Sequence, residues 1–193
     1  LVGNIGPRAN AVGLFAILKS VTRMIAAAVF VIFPLCLAVA AFSDLFTMTI
    51  PNRTSIILIL AFLALAPFVG LPLPEIGAHL GGALAVFFVC FALFATNTMG
   101  GGDAKLLTAA SLWFGFNQSL VEFLAYVGII GGAATLVILI IRAQANTILA
   151  IGLPIPSSIL LAKKIPYGIA IAIGGFMAFP SSPLFMAALQ SLK

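Results

Sequence analysis

Charge is what this chain has least of. Only 7% of its 193 residues are Asp, Glu, Lys or Arg, four acids against nine bases, where an ordinary soluble domain carries about 25%. So little charge cannot cover a surface that faces water, and a water-soluble globule is excluded. Histidine occurs once and cysteine twice. With one histidine and no Ser-x-x-Lys, a serine nucleophile lacks a base. No Cys-x-x-Cys pair is present to suggest zinc. Cys36 and Cys90 lie inside apolar runs, where a thiol behaves as a small hydrophobe. No metal and no cofactor is expected.

What is there is apolar: 63% hydrophobic residues and a mean hydropathy of +1.30. A bilayer core of about 30 Å takes about 20 residues per helical crossing. The expected fold is therefore all-α, a polytopic membrane protein with about six transmembrane helices, one of them short. Its first partner is the lipid bilayer. The net charge of +5 is spread as single bases beside apolar runs, a pattern of interfacial anchoring, so no nucleic-acid partner is expected.

The chain divides into residues 1–23, which could form an interfacial helix, and a single six-helix membrane domain over residues 24–193. Crossings are expected at 24–42, 54–70, 77–97, 104–116, 120–141 and 167–188, the last irregular near Pro180 and Pro183. The fourth rises only about 20 Å as a helix, so one of its ends starts within the membrane boundary. Gly77/Gly81 and Gly128/Gly132 are spaced to offer small-residue packing faces. Residues 143–165, with Gly152, Pro154 and Pro156, suit a surface-lying or re-entrant segment. Six crossings put 43–53, 98–105 and 142–165 on one face. The basic residues divide five against four between the faces, which does not orient the chain, yet Asp44 and Asp103 arrive together.

Two acids at one boundary need a reason, because an unpartnered carboxylate is costly in lipid. Taken singly, each has a plain one: Asp44 as an interfacial acid, Asp103 as a helix cap. The neighbouring residues point further. Gly100, Gly101 and Gly102 precede Asp103, more glycine than a cap requires, and leave backbone open to close approach. Pro51 breaks the chain after Asp44, and Asn52 offers a donor and an acceptor there. Lys105 could steady an anion or snorkel to the headgroups. His79 and Glu122 fall at the opposite boundary. Two carboxyl groups sharing a proton can hydrolyse a peptide bond without metal or nucleophilic side chain. Asp103, opening a helix, is expected to be the ionised base, and Asp44, near a helix C-terminus, to hold the proton.

These residues carry a resemblance. Gly100-Gly101-Gly102-Asp103 fits a GxGD signature, Asp44 with Ile50-Pro51-Asn52 fits the block around a first aspartate, and Ile165-Pro166-Tyr167-Gly168 fits a late motif. The chain resembles the type IV prepilin peptidases, GxGD-type intramembrane aspartic proteases, most of all the short forms of tight-adherence (Flp-type) pili. The resemblance implies a multi-pass aspartic endopeptidase of the bacterial inner (plasma) membrane. It would cleave the leader from prepilins or pseudopilins at the cytoplasmic face. It implies Asp44 and Asp103 as catalytic residues, with Gly100, Gly101, Gly102, Lys105, Pro51 and Asn52 binding substrate or shaping the site. Thr47-Met48-Thr49 is neutral where such proteins often carry bases, and the paired-cysteine loop of the longer, methylating members is missing. A small proton- or ion-coupled transporter and a non-catalytic pilus-assembly subunit are the alternative functions, and the oligomeric state stays open.

Overall fold

The computed structural model describes residues 7–144 and 167–192, with side-chain environments from residue 17 onward. The expected surface or re-entrant segment at 143–165 lies almost wholly outside the described residues, as do Ile165 and Pro166. What is described is helical and, by length and composition, a polytopic membrane protein. The helices are α1 (Pro7–Thr47), α2 (Asn52–Leu65), α3 (Leu73–Ala95), α4 (Gly101–Ser111), α5 (Gln118–Ala143), α6 (Tyr167–Ala178) and α7 (Pro183–Gln190). A 3-10 turn at Phe179–Ser181 joins the last two.

α1 runs through residue 23 without a break, over 41 residues. Nothing between Pro7 and Thr47 removes a helical donor except Pro34, and a membrane helix with neighbours tolerates one proline. Among the described residues three stretches are long and apolar enough to cross a membrane: Ile17–Thr47, Leu73–Ala95 and Gln118–Ala143. Tyr167–Ser181 and Pro183–Gln190 make a fourth if their 47° bend is one broken span. That bend falls at the expected prolines.

Besides the broken α6–α7 pair, two of the expected crossings are short helices, not one. The segment expected to cross at 54–70 is a helix of 14 residues, which rises about 21 Å. It ends just ahead of Pro67, which has no N–H with which to continue the helical ladder. A turn follows, closed by Gly70 at φ +84°. α4 has 11 residues and spans about 16 Å.

α6 lies between α5 and α1, while α4 packs against α3, α2 and α6. Lipid offers these apolar faces as good a solvent as protein does, so shape decides the packing. The glycines show it. A Cβ on Gly77, Gly81, Gly128 or Gly132 would meet nothing within 4 Å, whereas one on Gly82 would lie 3.1 Å from the Phe116 nitrogen and one on Gly131 would lie 2.5 Å from the Tyr167 ring. On α3 and α5 the close approaches are thus at the neighbours of the expected glycine pairs.

One end of the bundle is an aromatic core. Phe33 stacks on Phe179 with centroids 4.5 Å apart and touches Trp113 at 5.0 Å. Trp113 donates its indole N–H to the Leu58 carbonyl at 3.1 Å. His79 is buried here, its Nδ1 2.7 Å from the Leu112 carbonyl oxygen and its ring against Phe62. It ties α3 to the end of α4 and takes no place in the site described below. Phe33 precedes Asp44 by eleven residues and Trp113 follows Asp103 by ten, so the core holds both acids about 15 Å along their helices.

Candidate active site

At the other end of the bundle, Asp44 and Asp103 line one cavity of about 300 Å³, with Met48, Thr49, Ile50, Asn52 and the glycines 100–102. Helices from opposite halves of the sequence supply the acids. Asp44 stands in the last turn of α1 and Asp103 in the first turn of α4.

Asp44 is 5% exposed, and its Oδ2 accepts a hydrogen bond from the Gly168 backbone N–H at 2.7 Å. Gly168 is the second residue of α6, so this carboxylate faces a helix N-terminus just as Asp103 does. Each N-terminus presents about half a positive charge. The N-terminus of α6 thus acts on Asp44 beside the C-terminal end of α1, on which the sequence-based expectation of a protonated Asp44 rests. A Cβ on Gly168 would lie 2.8 Å from Asp44 Oδ2 and 2.9 Å from its Cβ. Only glycine lets the backbone come this near.

The three glycines before Asp103 answer three different neighbours. A Cβ on Gly100 would lie 2.6 Å from Asp103 Oδ2, one on Gly101 3.2 Å from the Phe94 ring, and one on Gly102 3.2 Å from Ile50 Cβ. The run seats the start of α4 against α3, against the 48–51 loop and against its own carboxylate.

Of the other residues expected here, Asn52 lines the cavity, while Pro51 and Lys105 do not. Pro51 caps α2 instead, its carbonyl accepting from the Thr54 N–H and hydroxyl at 3.1 and 2.7 Å. Lys105 is exposed and donates to Asn52 Oδ1 at 3.1 Å. This bond pins the second turn of α4 to the start of α2.

Sequence reasoning missed Gly168 as a site residue, although the late motif containing it was the available signal. It also missed Met48, which leaves α1 with φ +52°. A left-handed, unbranched non-glycine residue costs about 1–2 kcal/mol. The neighbouring hydroxyls hold it: Ser43 Oγ donates to the Thr49 carbonyl at 2.7 Å and Thr47 Oγ1 lies 2.7 Å from Thr49 Oγ1. The neutral Thr47-Met48-Thr49 stretch thus laces the loop back onto α1. Among the described residues no three His, Cys, Asp or Glu side chains gather as a metal site would require.

The model of the type IV leader peptidase family matches residues 31–140, more than half of the chain, and spans both aspartates. The chain belongs to that family. Comparison with curated proteins and with solved structures returns no match. Membership supports a leader peptidase, and so a hydrolase, and the apolar helices place it in a membrane. The match closes before α6, so the Gly168 contact extends the family-matched region by a residue from outside it.

Proposed function

We propose that this leader peptidase is an aspartic endopeptidase in which Asp44 and Asp103 are the catalytic pair. Its substrates are precursors of type IV pilins or pseudopilins, of the Flp type, cut at the cytoplasmic face of the inner membrane. The observation that carries the reading is that both carboxyl groups line one small cavity, where two like charges do not both ionise readily and one proton stays with the pair. The ionised carboxylate takes a proton from water as the water oxygen bonds to the scissile carbonyl carbon. The protonated carboxyl gives its proton to the carbonyl oxygen. The resulting diol collapses, the C–N bond breaks, and the leaving nitrogen takes up a proton, which yields one new carboxyl and one new amine terminus. Gly168 orients Asp44, and the Asn52–Lys105 bond orients α4 and with it Asp103.

Purified protein in detergent is expected to convert a pilin precursor to two products, with a chelator or a serine-directed reagent changing the rate less than twofold. A precursor left uncut would overturn the reading. The orientation has its own test. Cys36 and Cys90 are buried, so an introduced thiol reports alone. Thr96→Cys, exposed at the turn before α4, is expected to react with a membrane-impermeant maleimide from the cytoplasmic side only. Leu73→Cys, 82% exposed at the far end of α3, is expected to react from the other side. The reverse pattern would place the site outside the cytoplasm.

A further inference from the structure

The Gly168 N–H reaches Asp44 only while the first turn of α6 stays close to α1. The residue before it bears on that distance from the other side. Tyr167 opens α6, and its ring lies against α5 in the notch left by Gly131: a Cβ there would lie 2.5 Å from ring Cε1 and 3.2 Å from Cδ1 and Cζ. Deeper in the bundle α6 is gripped on both sides as well. A Cβ on Gly174 would lie 2.8 Å from Val127 Cγ2 and 2.9 Å from the Val127 nitrogen of α5, and one on Gly175 would run into Leu37 of α1. Gly174 follows Tyr167 by seven residues, about 10 Å along the helix. The deep contacts are therefore a pivot, and the ring on Gly131 sets how far the opening turn of α6 stands from α5. If that turn leans toward α5, Gly168 is drawn off Asp44.

We propose that Tyr167 is a positioning residue for the reaction: its ring, seated on Gly131, is the spacer between α5 and α6 that holds the Gly168 N–H against the Asp44 carboxyl group. This rests on the peptidase reading above, in which Asp44 is catalytic. A spacer acts through its width. The contact is made by ring carbons, so the ring is needed and the hydroxyl is not. The notch is as specific as the ring. Gly132, the next residue of α5, faces open space and bears no load from α6.

The experiment measures kcat of the full-length protein on a pilin precursor, with thermal stability in detergent alongside. Tyr167→Phe keeps the ring and is expected to cut within about twofold of wild type. Tyr167→Ala removes the spacer and is expected to lower kcat by about 10-fold or more, since misplacing a reacting group by about 1 Å costs about 10²-fold. Gly131→Ala puts a methyl where the ring rests. The half-buried ring has a cavity of about 450 Å³ beside it to swing into, and alanine is the better helix former, so kcat is expected to fall about 10-fold or more with no loss of stability. Gly132→Ala is expected to cut like wild type. The route through Gly168 is read by combining Tyr167→Ala with Gly168→Ala. Substitutions that disturb one shared contact are not additive, so the double variant is expected to cut within about threefold of Gly168→Ala alone. Should Tyr167→Ala fail to accumulate, Gly131→Ala enters the same pairing. Losses that multiply, a tenfold loss in Tyr167→Phe, or wild-type cleavage by an accumulating Tyr167→Ala or Gly131→Ala would each overturn the positioning role and leave the peptidase standing. A wild type that leaves the precursor uncut overturns the peptidase reading itself.

Discussion

Asp44→Asn and Asp103→Asn are each expected to reduce precursor cleavage by about 10³-fold or more, with the protein still inserted and stable. The size follows from the role. General acid and general base catalysis each contribute about 10²- to 10⁴-fold, and in a pair that passes one proton between its members the loss of either removes both functions. Asparagine is the informative replacement because it keeps the shape. Its Oδ1 still accepts from the Gly168 N–H that Asp44 engages at 2.7 Å, so α1 and α6 remain joined. At position 103 it still tops the first turn of α4. What asparagine cannot do is take up or release the proton. The measurement is conversion of a co-expressed precursor, normalised to the amount of membrane-inserted enzyme, with thermal stability in detergent as the control. Either variant retaining a tenth of wild-type cleavage at normal stability would refute the catalytic pair. An ion flux lost along with the same substitutions, in a protein that cuts nothing, would favour a transporter.

The second large effect is expected where no carboxylate is touched. Gly168→Ala should lower cleavage by about 100-fold or more, because the misplacement of a reacting group by about 1 Å has that cost. The added Cβ would lie 2.8 Å from Asp44 Oδ2, 2.9 Å from Cβ and 3.0 Å from Cγ. The last two atoms belong to the stem of the side chain, which cannot swing away as its tip can. The first turn of α6 must therefore retreat from α1 and the 2.7 Å hydrogen bond must break. Intrinsic helix propensity works the other way, since alanine is favoured over glycine by about 1 kcal/mol within a helix. Activity should accordingly fall much further than stability. Gly100→Ala provides the contrast: its Cβ would meet only the tip of Asp103, Oδ2 at 2.6 Å, which can rotate aside. A smaller loss is expected there. Cleavage by Gly168→Ala within threefold of wild type would show that Asp44 does not depend on this contact.

The residues that reveal the site differ in how openly they do so. Asp44 and Asp103 stand out because ionisable side chains are scarce in a chain with four acids and costly at a membrane boundary. Gly100, Gly101 and Gly102 signal close approach without naming the neighbour, and the neighbours prove to be Asp103, Phe94 and Ile50. Asn52 and Lys105 were separate suspects, and the structure joins them to each other. Gly168 was visible only as part of a late motif, because its partner Asp44 lies 124 residues earlier.

The division has a physical cause. A helix in lipid satisfies its backbone within itself, so apolar runs, prolines and glycines in the sequence determine where helices form, and they sufficed to place both acids at one end of the bundle. Which face of a helix meets which neighbour depends on shape. Gly131 and Gly132 are adjacent in sequence but point about 100° apart on the helix. Only the position of Tyr167 decides that the first is a notch and the second an open surface. The same holds for the site: local composition supplied the carboxyl groups, and the docking of α6 between α1 and α5 decided that a backbone N–H would hold one of them in place.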